Sequence, residues 1–193
     1  MTVLDLRPRD WPFGDLLPGR YSVILADPPW RFALHSAAGE DKSPQAHYSC
    51  MESAAIRSLP VGELAAAHCL LWMWATAPLL PEAIEVMRAW GFTYKTMGTW
   101  GKLSKLGTAA AFGTGYILRS VRNLILAPIR EHSRKPEQQY HDIDELIPGG
   151  DRCELFARAC RPGWDVWGNQ TDRFAPTPDH TVTTATEETD HAA

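Results

Sequence analysis

An acidic residue, two prolines and a tryptophan follow one another in the segment Asp27-Pro-Pro-Trp30. An amine attached to an aromatic ring is planar and a poor nucleophile, because its lone pair is delocalised into the ring. The Asp27 carboxylate and the Pro28 carbonyl could each accept one N–H bond of such an amine and aim its lone pair at an electrophile. The prolines restrict the backbone, so both acceptors would be in place before the substrate arrives. The indole of Trp30 offers a face on which a flat base could stack.

The same four residues also allow a simpler interpretation, in which the prolines merely end a strand and Trp30 belongs to the core. Tyr21–Ala26 is a short, β-branched apolar run, which predicts a buried strand that stops at the prolines. Ligands of open α/β sheets bind at the carboxyl ends of the strands. We therefore expect Asp27 to lie at the edge where ligands bind, and these four residues alone leave both interpretations open.

Strands and helices are predicted to alternate along the chain. Leu70–Ala75 indicates a second buried strand with Trp72 and Trp74 in the core, and Glu52–Ala67 favours two short helices divided at Pro60. Further strands are expected at 92–100, 116–118, 124–127, 153–156 and 165–167, and further helices at 80–90 and 137–147. The alternation predicts an α/β layered domain, and a hairpin expected between residues 116 and 127 predicts a mixed central sheet.

Composition and charge narrow the class of protein. A chain of 193 residues with 45% hydrophobic content suits one packed domain, expected at residues 1–176. Residues 177–193 carry four acids and no Lys or Arg, which predicts a disordered acidic tail. The four cysteines include no CxxC pair and the histidines show no metal spacing, so no metal site is expected. No leader and no membrane-spanning apolar run is found, which predicts a soluble cytoplasmic protein without a membrane partner.

Basic residues are concentrated between positions 95 and 135. This stretch holds eight Lys and Arg residues against the single acid Glu131. Such an excess can track the phosphates of a nucleic acid, and it can equally be a solvated face. The segment Phe112-Gly-Thr-Gly115 looks like a Gly-rich cofactor turn, but it does not follow a predicted strand. We interpret it as a flexible loop on the substrate side.

A series of ordered blocks makes the chain resemble the DPPW-type N6-adenine methyltransferases. These enzymes are relatives of the catalytic subunit of the eukaryotic mRNA adenosine methyltransferase, and the chain looks like a bacterial or phage member. The order of the blocks is more specific than any one of them. The blocks are Asp27–Trp30, His47–Met51, Leu70–Thr76, Trp90–Phe92, Trp100–Lys102, Gly113–Arg119, His132–Pro136, Glu154–Arg158 and Gly163–Gln170.

The resemblance implies a Rossmann-like methyltransferase domain that uses S-adenosylmethionine as its cofactor. Lys135 would pair with the methionyl carboxylate of the cofactor, and Arg158 would reach its ribose. Asn169 and Gln170 would hold the adenosine part, and Asp27 would lie at the boundary of cofactor and substrate. These are chemically suitable partners, since lysine suits a carboxylate and amides suit a base edge.

The resemblance also suggests the residues that act on the substrate. Asp10 and Asp15 compete for an acidic position that the family places near the cofactor adenine, and this alternative stays open. The expected catalytic residues are Asp27, Pro28, Pro29 and Trp30. The expected substrate-binding residues are Trp30, Tyr48, Lys102 and Arg119.

The expected reaction is methyl transfer from S-adenosylmethionine to the N6 amine of adenine in DNA. The same site could act on adenosine in RNA, since no residue indicates a contact with a 2′-hydroxyl. A catalytically silent subunit that binds nucleic acid is a further alternative, which the intact Asp27–Trp30 segment disfavours. Nucleic acid is the expected partner, with DNA favoured over RNA. A homodimer or a partner subunit is compatible with the sequence.

Overall fold

A computed structural model of the protein describes residues 7–31, 50–103, 125–128 and 135–174, with only the backbone considered for 101–103 and 125–128. These residues group into two compact units. The first unit contains the described residues 7–31, 50–51, 64–75 and 151–174, and the second contains 52–63, 76–103, 125–128 and 135–150. Both units lie inside the span 1–176 that was expected as one domain, and the predicted tail 177–193 lies outside the described residues.

Strands and helices alternate as expected. The strands are β1 (Tyr21–Ala26), β2 (Ala65–Met73), β3 (Trp100–Leu103), β4 (Ile125–Pro128), β5 (Arg152–Leu155) and β6 (Asp165–Trp167). The α-helices are α1 (Ser53–Arg57), α2 (Leu80–Ala89) and α3 (Gln138–Leu146), and short 3-10 helices span Val61–Leu64 and Ala77–Leu79. This arrangement confirms the predicted α/β, Rossmann-like class.

A four-stranded parallel sheet with the order β2-β1-β5-β6 forms the first unit. The central strand β1 pairs on both sides, and its residues Val23, Ile24 and Leu25 are fully buried. A strand covered on both faces reads as a continuous apolar run, which is why this strand was recognisable from sequence.

The segment before β1 packs on the sheet through aromatic side chains. Phe13 is buried, and its ring meets the ring of Trp167 edge-on at 5.2 Å between centroids. Trp11 packs edge-on against Phe13 at 5.1 Å and donates its indole N–H to the Leu16 carbonyl at 2.7 Å. The segment before β1 is therefore irregular in backbone but packed against β6.

The second unit contains a helical pair built around Trp90. This side chain is 2% exposed, and its indole N–H donates to the Ile56 carbonyl of α1 at 3.1 Å. Arg57 and Glu85 form an ion pair between α1 and α2 at 3.1 Å. Gly91 has a φ of 85°, the left-handed conformation that commonly follows a helix end. This confirms the predicted end of the helix.

Three sequence expectations differ from the structure. The strand expected at 92–100 is wrong over nearly all of its length, because 92–99 belongs to no strand and most of its side chains are exposed, and β3 begins only at Trp100. β2 begins five residues earlier than expected, at Ala65, and Trp72 and Trp74 are half-buried rather than core. The physical reason is that β2 stands at one end of the described strand order and is paired on one side only.

The mixed character of the sheet is not seen among the described strands, which all pair in parallel. The hairpin that suggested it falls largely on residues 104–124, outside the described residues. β4 instead pairs in parallel with β3, which a connection of this length permits. Among the helices described, none is both long and apolar enough to cross a membrane.

We expect the protein to lose stability in alkali, because ionisation of Tyr21 removes its hydrogen bond to Asp165. Burial and this 2.8 Å bond raise the pKa of Tyr21 above its ordinary value near 10. The neutral phenol therefore stabilises the fold below pH 10, and this contribution is lost as the pH rises above 10. Tyr21→Phe should lower the free energy of unfolding by about 1 kcal/mol at pH 7 and flatten its decline between pH 9 and 11. Urea unfolding across pH measures both. Tyr94→Phe, at an exposed tyrosine, is the control, and an equally steep decline in Tyr21→Phe would contradict the assignment.

Candidate active site

The carboxyl ends of the four strands of the first unit lie at one edge of its sheet. Ala26 is paired with both Met73 and Leu155, and Leu155 is paired with Trp167, so the four strands end level with one another. Whatever follows these strands is therefore brought together. The segments that follow β1, β5 and β6 contain seven of the predicted site residues: Asp27, Pro28, Pro29, Trp30, Arg158, Asn169 and Gln170.

Asp27 is placed by hydrogen bonds on both sides of β1. Its backbone N–H donates to the Leu155 carbonyl at 3.4 Å, and the preceding Ala26 carbonyl accepts the N–H of Trp74 at 2.8 Å. The Asp27 side chain is half-buried. The aspartate thus leaves the sheet between the ends of β2 and β5, as the sequence predicted for a residue at the binding edge.

The two prolines form a tight turn in which each proline carbonyl accepts a backbone hydrogen bond. The Trp30 N–H donates to the Pro28 carbonyl at 2.8 Å, a bond from residue i+2 to residue i that is typical of a γ-turn. The Pro29 carbonyl accepts the Met51 N–H at 2.8 Å, and Met51 in turn accepts the Arg31 N–H at 3.3 Å. A carbonyl oxygen has two lone pairs, so Pro28 retains one acceptor position beyond its bond to Trp30.

Trp30 is held at its polar edge. Its indole N–H donates to the Trp74 carbonyl at 2.9 Å, and only 6% of the residue is exposed. Buried tryptophan usually finds a partner for its N–H in this way. The bond joins the turn after β1 to the residue that follows β2. The stacking role expected for Trp30 stays a prediction, and it would need more open ring surface than this arrangement offers.

The segments after β5 and β6 touch backbone to backbone. The Ala157 N–H donates to the Trp167 carbonyl at 3.0 Å. A Cβ atom at Gly168 would lie 2.6 Å from the Ala157 oxygen, closer than real side chains approach, so only glycine fits there. Phe156 has a φ of 61°, an unusual conformation for a residue with a side chain. Its ring packs edge-on against Trp167 at 5.2 Å.

The strained conformation at Phe156 is the feature that sequence reasoning missed. Nothing in the residue type signals it, because left-handed backbone is expected at Gly, Asn or Asp. Strain of this kind is often found at functional sites. Here it stands between β5 and Arg158, and it redirects the chain immediately before that arginine.

The predicted cofactor-binding residues of the first unit follow this junction. Arg158 is half-buried with its guanidinium over the Phe174 ring, Gln170 is half-buried, and Asn169 is exposed. Lys135 belongs to the second unit, ahead of α3, and its role stays a prediction. The Asp15 carboxylate forms an ion pair with Arg7 at 3.2 Å.

The remaining predicted residues are placed as follows. Asp10 is exposed in the lead-in, and the choice between it and Asp15 stays open. Tyr48 and Arg119 lie outside the described residues, and Lys102 lies in β3, where only the backbone is described.

The half-buried Cys69 and the buried Cys153 of this unit are poorly suited to thiol chemistry. Burial raises the pKa of Cys69 to about 11 and raises that of Cys153 further. A thiol is a nucleophile only when deprotonated, so both are inert at neutral pH. Within the described ranges, no group of three or more His, Cys, Asp or Glu residues could hold a metal ion.

Comparison with known proteins agrees with this geometry. The family model described as MT-A70 matches residues 21–121 and 117–170. The Type II methyltransferase M.MunI of Mycoplasma sp is 31% identical over an alignment 193 positions long, which covers 84% of this chain and 83% of that protein.

Two eukaryotic relatives are longer. The putative N(6)-adenosine-methyltransferase MT-A70-like of Medicago truncatula is 29% identical, over 79% of this chain and 26% of its own length. The N(6)-adenine-specific methyltransferase METTL4 of Homo sapiens is 26% identical, over 80% of this chain and 38% of its own length. The match to the family model runs from the first residue of β1 through Gln170 and includes the turn after β1 and the junction of β5 and β6. The resemblance predicted from the ordered blocks is thus confirmed, and the chain belongs to the MT-A70 family.

Proposed function

We propose that this chain transfers a methyl group from S-adenosylmethionine to the N6 amine of adenine in DNA. The observation that carries the proposal is the position of Asp27. It leaves the sheet at the edge where β5 and β6 also end, next to the strand that precedes Arg158 and two strands from the end of β6, which Asn169 and Gln170 follow. An acceptor for an amine and side chains suited to a nucleoside therefore emerge from the same edge.

Asp27 and Pro28 act on the amine. The Asp27 carboxylate accepts one N–H of the adenine amine, and the unused lone pair of the Pro28 carbonyl accepts the other. These two bonds draw electron density out of the ring and direct the nitrogen lone pair away from the ring plane. When the new N–C bond forms, one amine proton must leave, and the Asp27 carboxylate is the acceptor beside it. The turn is fixed in advance by hydrogen bonds, so little reorganisation is needed on binding.

The residues after β5 and β6 fit the proposed cofactor. Gly168 lets the segments after β5 and β6 approach each other backbone to backbone, and these segments contain a guanidinium and two side-chain amides. Arg158 would bind the ribose and Asn169 with Gln170 the adenosine part, and the pairing of Lys135 with the methionyl carboxylate stays a prediction from the resemblance alone. The bound cofactor supplies a methyl group activated by a sulfonium charge. The protein's share is alignment of the amine with that methyl group and exclusion of water.

DNA is favoured as the substrate because this chain is similar in length to a Type II methyltransferase and much shorter than the eukaryotic relatives. The chain covers 83% of M.MunI, a Type II methyltransferase, but a quarter to two fifths of the two eukaryotic relatives. Adenosine in RNA is the alternative, supported by relatives named as N(6)-adenosine-methyltransferases. Nucleic acid as partner, cytoplasmic location and a homodimer or partner subunit belong to this proposal.

Methyl transfer from labelled S-adenosylmethionine to matched DNA and RNA pools tests the proposal. Nucleosides are identified by mass spectrometry after digestion. We expect N6-methyldeoxyadenosine in the DNA digest. Label in RNA adenosine alone would identify RNA as the substrate instead of DNA. Label in cytosine would contradict the assignment of adenine as the methylated base. Binding of neither cofactor nor nucleic acid would overturn the proposal.

Replacing the Asp27 carboxylate by an amide should abolish most of the activity without unfolding the protein. Asp27→Asn keeps the size of the side chain but replaces one acceptor oxygen by a donor. We expect kcat to fall by about 100-fold or more, with cofactor affinity changed much less. Single-turnover methylation and calorimetric titration measure the two effects. Asp144→Asn, an exposed residue of α3, is the matched control. Full activity in folded Asp27→Asn would exclude the assigned role.

The indole N–H of Trp30 should matter for catalysis as well as stability. Trp30→Phe keeps an aromatic ring but removes the donor to the Trp74 carbonyl, whereas Trp90→Phe removes an equivalent buried bond to Ile56. Each should lower the free energy of unfolding by about 1–2 kcal/mol. Only Trp30→Phe should also lower kcat, by about tenfold, because the turn bearing Asp27 loses its anchor to Trp74.

Denaturant unfolding and kcat, measured side by side for both variants, distinguish the two roles. An equal loss of kcat in the two variants would show that the Trp30 bond acts through stability alone. Unchanged kcat in Trp30→Phe would show that the ring, not its N–H, is what the site uses.

A further inference from the structure

The chain turns back directly after the proposed adenosine-binding residues. The Gln170 carbonyl accepts the Arg173 N–H at 2.9 Å, and the Phe174 N–H donates to the Arg158 carbonyl at 3.0 Å. The segment from Arg158 to Phe174 is therefore a closed loop whose two ends are hydrogen-bonded to each other. A contact of 3.8 Å between the Cys160 thiol and the Thr171 carbonyl joins its two arms.

The Phe174 ring lies against the Arg158 guanidinium. The guanidinium carbon is 5.1 Å from the ring centroid, within the distance at which a cation is attracted to an aromatic face. Both residues are half-buried, so the attraction is less screened than on an open surface. Phe174 therefore contacts Arg158 twice, through its backbone N–H and through its ring.

A long arginine side chain needs such support to serve as a ligand-binding group. Its several torsions give it many rotamers, and binding must restrict them at an entropic cost. A guanidinium held against an aromatic ring is already restricted before the ligand arrives.

We propose that Phe174 is a positioning residue that holds the Arg158 guanidinium in the orientation that binds the ribose of the cofactor. This inference rests on the proposed function, because it takes Arg158 as a cofactor-binding residue. It goes beyond the family match, which ends at residue 170. Phe174 contacts neither substrate nor cofactor in this role and acts through Arg158.

Calorimetric titration of the full-length protein with S-adenosylmethionine tests the inference. Phe174→Leu retains the backbone N–H and an apolar side chain but removes the aromatic face. We expect its dissociation constant for S-adenosylmethionine to rise about three- to fivefold. Phe92→Leu makes the same change at a half-buried phenylalanine of the second unit and should leave the dissociation constant unchanged.

Arg158→Ala and the double variant identify the route of the effect. If Phe174 acts through Arg158, Phe174→Leu should have no further effect in the Arg158→Ala background. An equal weakening in both backgrounds, or no weakening by Phe174→Leu alone, would overturn the inference while leaving the proposed function standing. Unchanged affinity in Arg158→Ala would instead remove Arg158 from the proposed cofactor site.

A measurement without cofactor checks the contact itself. The Arg158 Nε–H resonance of the free protein should be shifted by the ring current of Phe174. The shift should disappear in Phe174→Leu and persist in Phe92→Leu. A resonance at the same position in all three proteins would contradict the stacked arrangement.

Discussion

The level termination of four parallel strands is the constraint on which the rest of this site depends. Ala26 is the common partner of Met73 and Leu155, and Leu155 is paired with Trp167. A shift of one residue in any of these registers would send its side chains to the other face and move the following segment along the edge. Asp27 directly follows the buried apolar run of β1, so such a shift would either bury its carboxylate or expose an apolar side chain. Burial of the strands thus determines where the polar side chains that follow them lie.

The position of this edge could be predicted from sequence, but much of its detail could not. The apolar run Tyr21–Ala26 stops at two prolines, and that contrast marks the end of a strand unambiguously. The half-burial of Trp72 depends on how many neighbours β2 has, which no local pattern records. The strand wrongly expected at 92–100 shows the same weakness, since a suitable composition does not supply a pairing partner.

The site residues divide in a similar way. Asp27, Arg158, Asn169 and Gln170 could be named because they belong to blocks of known order, and the sheet places them at one edge. The positive φ of Phe156 and the contact between Phe174 and Arg158 could not be named, since both arise from tertiary structure. Trp30 lies between these cases. Its presence was predicted to matter as a ring, whereas the structure uses its polar edge as an anchor.

The pairing between the Pro29 turn and Met51 joins two points that are about 20 residues apart in the chain. The chain leaves the sheet edge after Arg31 and returns at Met51, and hydrogen bonds tie these two points together beside the prolines. Because exit and return are adjacent, the intervening stretch can lengthen or change at little entropic cost and without moving the acceptors. The placement of the Pro28 and Pro29 carbonyls is thus independent of the length of the chain that connects Arg31 to Met51.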